Sequence, residues 1–484
     1  MRVCLINPPR VSPRGWGKPT VYQPWAIAYV AAVLEKHHKV SIIDVPTEGW
    51  RNLEQIDETK YRVGLTNKEI ADRIRKLSPD IVGINVPFSG WSKGAFEVAE
   101  TVKNIDKDIV TFFDGLHATA RPYECLSDPN VDYIVRGEGE ETISELVDTL
   151  EQGRPEQLEI VKGIGFLKNG NPVITSPRPL IEDLDSLPLP ARHLLPMELY
   201  FEAVKENPIR GVIRKRWAIM ITSRGCPHEC IFCSNHIVMG RKWRPRSPEK
   251  VVDEIEHLVE KYKIEQIDFY DDNMTLKKNR VIEICDLIKE RNLDIEWYVP
   301  TGVRADTLDE ELLTKMKLSG CRGLRIAPES GVQRVVNDVI KKRQNLKAVE
   351  NAVVLTNKLG IKLGIFFVLG LIGETKEDMK ETINFAYKLR KLGAKNFHFS
   401  IAMPLYGTEL YEQAKNGGFL KAGFSDEALA ATEPLIETAE FTPDDVRELC
   451  LEANLVNQAL TKDKILNAIR NPKKAIRTLL GKND

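Results

Sequence analysis

The sequence lacks any long hydrophobic run, since no stretch approaches the roughly 18–20 apolar residues that a membrane-spanning helix needs. It also lacks a charge imbalance, because 69 lysine and arginine residues offset 70 aspartate and glutamate residues. A net charge of −1 gives no general attraction for nucleic acid or anionic lipid. The opening MRVCLINPPR has no charged, apolar and small-residue regions of a signal peptide. We expect a cytoplasmic protein with no transmembrane segment and no nucleic-acid partner.

Cysteine is scarce, and most of it is scattered. Five of the eight cysteines show no disulfide-framework spacing: Cys4, Cys125, Cys285, Cys321 and Cys450. This pattern favours a reducing compartment. The other three cysteines are close together in SRGCPHECIFCSN, at Cys226, Cys230 and Cys233.

The first part of the chain alternates apolar strands with amphipathic helical patterns. Its five predicted strands are VCLIN, KVSIID, DIVGINV, DIVTFFDG and VDYIVRG. Apolar, β-branched runs separated by helices are typical of a parallel sheet that is buried on both faces. We therefore predict a flavodoxin-like, doubly wound (Rossmann-like) domain over residues 1–154, with ligands beyond the carboxyl ends of the strands.

The βα rhythm stops between residues 155 and 215. IGFLKNGNPVIT predicts a hairpin with an Asn-Gly turn, and the proline-rich PRPLIEDLDSLPLPARHLLP predicts an extended surface linker. Six further βα units over residues 216–425 predict a partial, TIM-like (β/α)6 barrel whose active site lies at the strand ends. Residues 426–484 are predicted to be helical. Their last part, KILNAIRNPKKAIRTLLGK, is basic and amphipathic, which favours a solvated helix over a peripheral membrane contact.

The cysteine triplet has too few ligands for a closed structural zinc site, which takes four. His228 or His236 could complete such a site, so zinc remains an alternative. Thiolates are also the ligands of iron–sulfur clusters. A cubane cluster that is held by three cysteines keeps one iron without a protein ligand. That open iron can bind and reduce a small molecule.

CPHECIFC, on the loop after the first predicted barrel strand, resembles the motif of radical S-adenosylmethionine enzymes. The resemblance implies a [4Fe–4S] cluster on Cys226, Cys230 and Cys233 whose open iron binds S-adenosylmethionine. It also implies one-electron cleavage to a 5′-deoxyadenosyl radical, with a reductant such as ferredoxin or flavodoxin. The family's aromatic residue before the last cysteine is Phe232 here, expected near the adenine.

The resemblance continues at later strand ends, in YDDNMT, VRAD, RIAPESG and FFVLGLIGET. It implies contacts to S-adenosylmethionine from Asp271, Asp272, Arg304, Glu329, Ser330, Gly370, Gly373 and Glu374. For either aspartate, capping of the following helix is an equally weighted alternative. MPLYGTELYE departs from the family pattern because Tyr406 replaces a proline. Tyr406 is therefore a candidate substrate contact. Tyr298 is another, because aromatic residues at strand ends can line an apolar pocket, with ordinary packing as the alternative.

A doubly wound domain before such a barrel resembles the cobalamin-dependent (B12) radical S-adenosylmethionine enzymes, over roughly residues 1–430. Four predicted strand-end loops carry the resemblance: NPPR, VPFSG, DGLHAT and RGEGEET. The cobalamin contacts that it implies are Asn7, Pro8, Pro9, Pro87, Phe88, Ser89, Gly115, His117, Thr119, Arg136, Gly137, Glu138, Gly139 and Glu140. Turn formation by the prolines and a helix N-terminal role for Glu140 are the structural alternatives.

The cobalamin loops depart from other B12 proteins in one respect. The D-x-H-x-x-G motif that supplies a lower histidine ligand is absent, because Asp114 and His117 are three residues apart. We assign His117 to the binding loop and not to cobalt, with a local hydrogen bond as the alternative. A nicotinamide domain is less well supported, because no G-x-G-x-x-G follows the first strand.

The resemblance implies a methyltransferase that moves a methyl group from methylcobalamin to an unactivated carbon, or to phosphorus, after hydrogen abstraction. A ring-forming, rearranging or oxygenating enzyme with the same cofactors is the alternative. A non-catalytic cobalamin or redox sensor is the alternative outside enzymes. The expected substrate is a small or lipid-like molecule. A methylthiotransferase is disfavoured, because the first domain offers only Cys4 and Cys125 for a second cluster.

Overall fold

Two parallel β-sheets follow one another along the chain in the computed structural model, which describes residues 1–13, 19–209, 211–431 and 433–458. The basic segment over 464–482 lies outside the described residues. Within the described ranges, no helix is long and apolar enough to cross a membrane.

The N-terminal part contains β1 (Arg2–Asn7), β2 (Arg10–Pro13), α1 (Trp25–Leu34), β3 (Lys39–Asp44), α2 (Val45–Glu48), β4 (Leu53–Gln55), β5 (Lys60–Val63), α3 (Asn67–Leu77), β6 (Ile81–Asn85), α4 (Ser92–Ile105), β7 (Val110–Asp114), α5 (Leu116–Ala120), α6 (Pro122–Ser127), β8 (Tyr133–Val135), α7 (Gly139–Glu151), β9 (Ile164–Lys168) and β10 (Asn171–Ile174).

The remaining described elements are α8 (Met197–Glu206), β11 (Trp217–Met220), β12 (Ser223–Arg224), α9 (Asn235–Met239), β13 (Arg244–Pro245), α10 (Pro248–Tyr262), β14 (Gln266–Phe269), α11 (Lys278–Glu290), β15 (Glu296–Val303), α12 (Glu310–Leu318), β16 (Cys321–Glu329), α13 (Leu346–Lys358), β17 (Lys362–Leu369), α14 (Lys376–Lys391), β18 (Asn396–Ile401), α15 (Glu409–Asn416), α16 (Asp426–Ala431) and α17 (Pro443–Gln458).

The first sheet has the strand order β10-β9-β8-β7-β6-β1-β3. Its five parallel strands therefore follow the order 2-1-3-4-5, which confirms the predicted flavodoxin-like domain. The central strand IVGIN of β6 is buried throughout, as a strand with helices on both faces must be. A small antiparallel sheet joins β2, from the loop after β1, to β5 and β4, which lie in the long excursion between β3 and α3.

The predicted hairpin is β9–β10, and its turn residues Asn169 and Gly170 both have positive φ, as a tight two-residue hairpin requires. β9 pairs with β8, so the hairpin extends the first sheet beyond residue 154. The proline-rich segment after it lies on the surface only in part, where Glu182, Asp183 and Ser186 are exposed. Ile181, Leu184 and Ala191 are buried, because the segment packs between the two parts of the chain.

The second sheet has six parallel strands in the order β11-β14-β15-β16-β17-β18. Consecutive strands are neighbours, and the first and last do not pair, which is an open, partial barrel as predicted. Helices α10 to α14 alternate with its strands, and the largest apolar cluster fills the space between helices and sheet. The carboxyl ends of all six strands meet at one rim.

Candidate active site

A loop over residues 225–243 leaves the first barrel strand and carries the three predicted cysteines. β12 and β13 pair antiparallel at its base, with Arg224 opposite Arg244. Gly225 has φ +79°, and a β-carbon there would lie 2.3 Å from the carbonyl oxygen of Lys242. Only glycine fits this backbone, so the base of the loop is a narrow neck.

The three thiols lie near one another in this loop. Cys226 and Cys230 both act electrostatically on Cys233. Burial is the main reason why the pKa of each thiol is raised, to about 12 for Cys233. Backbone N–H groups of His228 and Asn235 donate to Cys226 and Cys233 respectively and lower their pKa. Buried thiols of this kind become thiolates when a bound metal compensates the charge.

The middle of the cysteine loop is fixed to the barrel by Ile231. Its N–H donates to the carbonyl oxygen of Ile340 at 3.1 Å, and its carbonyl accepts from the N–H of Leu410 at 2.9 Å. The Ile231 side chain is buried, and the neighbouring Phe232 ring packs partly buried against the barrel core.

Asp272 joins Gly225 and Asn235, the residues on either side of the three cysteines. Its carboxylate accepts the Gly225 N–H at 2.9 Å and the Asn235 side-chain amide at 2.5 Å. Burial raises the pKa of Asp272 to about 6. Its neighbour Asp271 accepts from the backbone N–H and hydroxyl of Thr222 and from the Ser223 hydroxyl. Neither aspartate caps α11, whose N-cap is Lys277, so the capping alternative is wrong.

Lys342 is a cation beside the cysteines, and its side chain is only 11% exposed. Its Nζ donates to Glu329 Oε1 at 2.7 Å. Burial would lower the pKa of Lys342, but the Glu329 carboxylate and the Cys230 sulfur together raise it. Glu329 has φ +68°, an uncommon backbone for a non-glycine residue. The predicted ligand contact Glu329 thus has an ammonium partner, and no sequence motif marks that partner.

Arg304, predicted to hold a carboxylate, is engaged within the protein. Its guanidinium donates to both carboxylate oxygens of Asp306 and to the carbonyl oxygens of Lys342 and Arg343. Arg304 therefore shapes the backbone around Lys342. Ser330 is fully buried, and its hydroxyl accepts the N–H of Val332 at 3.2 Å.

The turn after β17 contains Gly370, Gly373 and Glu374. Glu374 is fully buried, and its Oε2 accepts the N–H groups of Gly370 and Leu371, both at 3.0 Å. Its other oxygen has no partner among the described residues. Burial raises the pKa of Glu374 to about 8. Both glycines have positive φ, so this acid organises a turn that only glycines permit.

The carboxyl edge of the first sheet carries paired polar side chains. Asn7 donates to Asp44 at 2.7 Å, and Asp44 also accepts from the hydroxyl of Tyr200 on α8. Asn85 donates to Asp114 at 3.0 Å, and burial raises the pKa of Asp114 to about 7.

The loops after β6 and β7 meet at His117. Its Nδ1 lies 3.0 Å from Ser89 Oγ, whereas its Nε2 is buried without a partner among the described residues. The Asp426 carboxylate of α16 lies 3.9 Å from Nδ1 and also accepts from Ser92. A helix from the C-terminal region therefore packs over these loops, which the sequence pattern does not indicate.

The other predicted cobalamin residues lie around this edge. Thr119 Oγ1 accepts the Gly137 N–H at 3.1 Å and donates to the Gly115 carbonyl at 2.8 Å. Pro8 and Pro9 are buried, Pro87 is exposed, and the Phe88 ring lies edge-on to Trp91 at 5.7 Å. Arg136 Nε is buried without a partner among the described residues.

Glu138 and Glu140, which are predicted to contact cobalamin, also contact the barrel directly. Glu138 accepts from Arg224 at 2.9 Å and from Arg244 at 2.8 Å, and Glu140 accepts from Arg224 at 2.6 Å. All four side chains are at most 5% exposed. These acids therefore join the first domain to the base of the cysteine loop. The sequence signal for this contact is weak: Arg244 belongs to the short basic segment RKWRPR over residues 241–246.

A cavity of about 900 Å³ occupies the barrel interior and reaches Thr20 and Tyr22 of the first domain. Tyr298 lines it, and its buried hydroxyl has no partner among the described residues. Asp268 also lines it, and burial raises the pKa of its carboxyl to about 7. Tyr406 lies elsewhere, in a small cluster with Tyr411, and its ring faces the Arg121 guanidinium at 4.5 Å.

Fold and site together define a class of protein: a doubly wound, B12-type domain followed by a partial barrel whose first loop presents three cysteines. Models of known families match both parts, the B12 binding domain over residues 19–147 and the radical SAM superfamily over residues 220–386. The chain belongs to the cobalamin-dependent radical S-adenosylmethionine enzymes.

Relatives of similar length support this assignment. "Uncharacterized methyltransferase PH0819" of Pyrococcus horikoshii is 33% identical, over 94% of this chain and 91% of that protein. Cytidylyl-2-hydroxyethylphosphonate methyltransferase of Streptomyces wedmorensis is 32% identical, over 87% of this chain and 82% of that protein.

Two solved structures share the fold. The radical S-adenosylmethionine methyltransferase TsrM of Kitasatospora setae, with tryptophan and a S-adenosylmethionine analogue bound, superposes with a TM-score of 0.67 at 18% identity, over 87% of this chain and 77% of that one. The cobalamin-dependent enzyme OxsB superposes with a TM-score of 0.64 at 21% identity, over 86% of this chain and 55% of that one.

The residues present fit the family's cofactors, which are one [4Fe–4S] cluster, S-adenosylmethionine and cobalamin. For the cluster there are three adjoining thiols, two of which accept backbone N–H groups, next to the Lys342 ammonium. The cobalamin edge offers buried polar atoms that lack partners in the described chain, His117 Nε2 and Arg136 Nε. Such atoms suit the amide groups that surround a corrin.

Proposed function

We propose that this enzyme is a methyltransferase that acts on an unactivated carbon, or on phosphorus, of a small molecule. The observation that carries the proposal is the similarity to two methyltransferases along nearly the whole chain. When bound, the cofactors supply a 5′-deoxyadenosyl radical and a transferable methyl group. The atom balance of each turnover takes two S-adenosylmethionine molecules, two electrons and one substrate hydrogen. It yields methylated product, S-adenosylhomocysteine, 5′-deoxyadenosine and methionine.

The chain's own residues bind and orient the reactants. Cys226, Cys230 and Cys233 would hold the cluster, and Asp272 holds the backbone at Gly225 and the Asn235 side chain on either side of them. We assign S-adenosylmethionine to the rim where the Lys342–Glu329 pair lies beside Phe232 of the cysteine loop. The other predicted rim residues, Asp271, Arg304, Ser330 and the Gly370–Glu374 turn, maintain the backbone of this rim through the contacts described above.

The barrel cavity, which is lined by the first halves of β16, β17 and β18, supports a small-molecule substrate that extends from there toward the rim. A volume of about 900 Å³ falls within the range of small-ligand sites. Its wall combines apolar side chains with charged ones such as Arg325 and Lys362, and the Tyr298 hydroxyl and the Asp268 carboxyl are polar groups that could orient a substrate. Tyr406 lies outside this cavity's lining, so we keep only Tyr298 as a proposed substrate contact. We further propose a flavodoxin- or ferredoxin-type reductant and a cytoplasmic location, where the eight thiols stay reduced.

A cyclase without methyl transfer is the second candidate. Anaerobic magnesium-protoporphyrin IX monomethyl ester cyclase of Rubrivivax gelatinosus is 33% identical, over 66% of this chain and 56% of that protein. That relative resembles this chain over a smaller share of both proteins than the methyltransferases do.

Product analysis separates the two candidates. The protein is purified without oxygen, loaded with iron, sulfide and cobalamin, and incubated with S-adenosylmethionine, dithionite and an extract of small metabolites. Methyl transfer predicts S-adenosylhomocysteine and 5′-deoxyadenosine in similar amounts, and label from methyl-deuterated S-adenosylmethionine in one metabolite. Formation of 5′-deoxyadenosine with a changed metabolite but no S-adenosylhomocysteine would refute methyl transfer.

A further inference from the structure

The neck of the cysteine loop contains two arginines that face each other. β12 and β13 are the only pairing that closes residues 225–243 within the described chain, and their register sets Arg224 opposite Arg244. Like charges directly opposite each other destabilise an antiparallel pair. The neck therefore needs negative charge from elsewhere.

The first domain supplies that charge. Glu138 bridges the arginines, with Oε1 accepting from Arg224 at 2.9 Å and Oε2 from Arg244 at 2.8 Å. Glu140 accepts from the second guanidinium nitrogen of Arg224 at 2.6 Å. The group contains two positive and two negative charges, so it is electrically balanced.

Because this group is buried, it restricts how the two domains can pack against each other. The exposed side-chain fractions are 1–2% for the arginines and 3–5% for the glutamates. Both acids raise the pKa of Arg224 against the opposing effect of burial, which is the largest single cause. A buried charge that loses its partner is strongly destabilising, so the two domains have one favourable position here.

The group connects the two cofactor regions directly. Glu138 and Glu140 lie at the start of α7, directly after the predicted cobalamin loop at Arg136 and Gly137. Arg224 is two residues before Cys226. Glu138 also accepts the Ile181 N–H at 2.9 Å, so the proline-rich segment takes part in the same contact.

We propose that Glu138 and Glu140 are positioning residues that set the cysteine loop, and hence the cluster, against the cobalamin edge of the first domain. They touch no reacting atom. Their role is to keep two cofactor sites, carried by two domains, at a fixed separation and angle.

The test uses Glu140→Gln in the full chain, loaded with cluster and cobalamin, and Glu202→Gln as control. Glu202 pairs with Arg51 at 2.7 Å on the exposed surface between the same two parts of the chain. Hydrogen exchange is measured by mass spectrometry for peptides covering 136–140 and 223–226. We expect roughly tenfold faster exchange in both peptides for Glu140→Gln, with iron content unchanged, and no change for the control.

A second readout is the ratio of products. If the domains lose their alignment, 5′-deoxyadenosine should still form, whereas S-adenosylhomocysteine per 5′-deoxyadenosine should fall about fivefold or more. This readout rests on the proposed methyl transfer, but the exchange measurement does not. A wild-type enzyme that makes no S-adenosylhomocysteine would therefore refute the proposed function and leave the exchange test to judge this inference.

Arg224→Lys serves if Glu140→Gln does not fold, because lysine keeps the charge but cannot bind both acids with a planar fork. For this variant too, we expect faster exchange in both peptides and less S-adenosylhomocysteine per 5′-deoxyadenosine. Unchanged exchange in both peptides would overturn the inference. Loss of iron in parallel with faster exchange throughout the chain would also overturn it, because that result indicates a general folding role.

Discussion

At the scale of single residues, Lys342 places a buried ammonium between the cysteine loop and the Glu329 carboxylate. We predict that Lys342→Met lowers reductive cleavage of S-adenosylmethionine about tenfold, because it leaves the Glu329 carboxylate buried without a partner. The measurement is 5′-deoxyadenosine released per cluster, with iron determined for each preparation.

Two variants accompany this prediction. Lys341→Met removes the adjacent exposed lysine, which pairs with Glu409, and should leave cleavage unchanged. Lys342→Met combined with Glu329→Gln restores charge neutrality and should recover the thermal stability that the single variant loses. Full cleavage activity in Lys342→Met would contradict the prediction.

Glu374 gives a prediction about pH. Burial raises the pKa of its carboxyl from 4.5 to about 8, so the folded protein binds this proton more tightly than the unfolded chain does. The contribution to stability is therefore full below pH 4.5 and is lost as pH rises to about 8. Glu374→Gln keeps an oxygen for the Gly370 and Leu371 N–H groups but does not titrate.

We expect the unfolding free energy of the wild-type protein to fall relative to that of Glu374→Gln as pH rises from about 5 to 8. The slope should approach about 1.4 kcal/mol of unfolding free energy per pH unit within that window. Urea unfolding at a series of pH values measures it. A difference between the two proteins that stays constant over this range would refute the assigned ionisation.

At the scale of elements, an open barrel has two free strand edges, and each is closed by a side-chain amide. Gln23 donates to the Trp217 carbonyl at 2.9 Å and accepts the Ile219 N–H at 3.1 Å on β11. Asn457 of α17 likewise exchanges two hydrogen bonds of 2.9 Å with the backbone of Phe397 on β18. The amides replace the neighbouring strands that a closed barrel would have.

We predict that Gln23→Ala costs about 2–3 kcal/mol of unfolding free energy, because two buried backbone groups of β11 lose their partners. Asn457→Ala, at a more exposed position, should cost less. Denaturant unfolding of both variants measures the difference. Equal, negligible effects would show that water satisfies both edges.

At the scale of the whole molecule, the limit of the first domain remains a prediction that truncation can test. β9 and β10 continue the first sheet, and Ile164 and Phe166 of β9 are buried in its core. We predict that a fragment over residues 1–178 is more stable than one over residues 1–154, because the shorter one exposes β8 as an edge. Thermal unfolding by circular dichroism compares them. A similar midpoint for both would favour the boundary near 154.

The two domains also contact each other directly and are not joined by a flexible linker alone. Asp44 accepts from Tyr200, Gln23 from Ile219, and Glu138 from two arginines near the cysteines. Many of these groups are buried and polar, so the two domains fit each other in one arrangement. This fixed arrangement suits chemistry that uses one cofactor from each domain.

The sequence by itself determined the local features, which are the strands, the hairpin turn and the cysteine loop. Continuous β-branched runs fixed both parallel sheets, the Asn-Gly pair fixed the hairpin, and the spacing of Cys226, Cys230 and Cys233 identified the cluster loop. These signals can be read from the sequence because periodicity, turn chemistry and short ligand spacing involve residues that are close in the chain.

Only the tertiary structure decided which polar groups meet. Lys342 pairs with Glu329, and Glu138 and Glu140, expected at cobalamin, meet Arg224 and Arg244 more than eighty residues away in the chain. Glutamate and arginine are common on protein surfaces, so their type does not reveal a buried partner. The burial and pairing of these groups follow from the docking of the two domains. The three cysteines in SRGCPHECIFCSN predict the cluster site, but they do not predict how the domains dock.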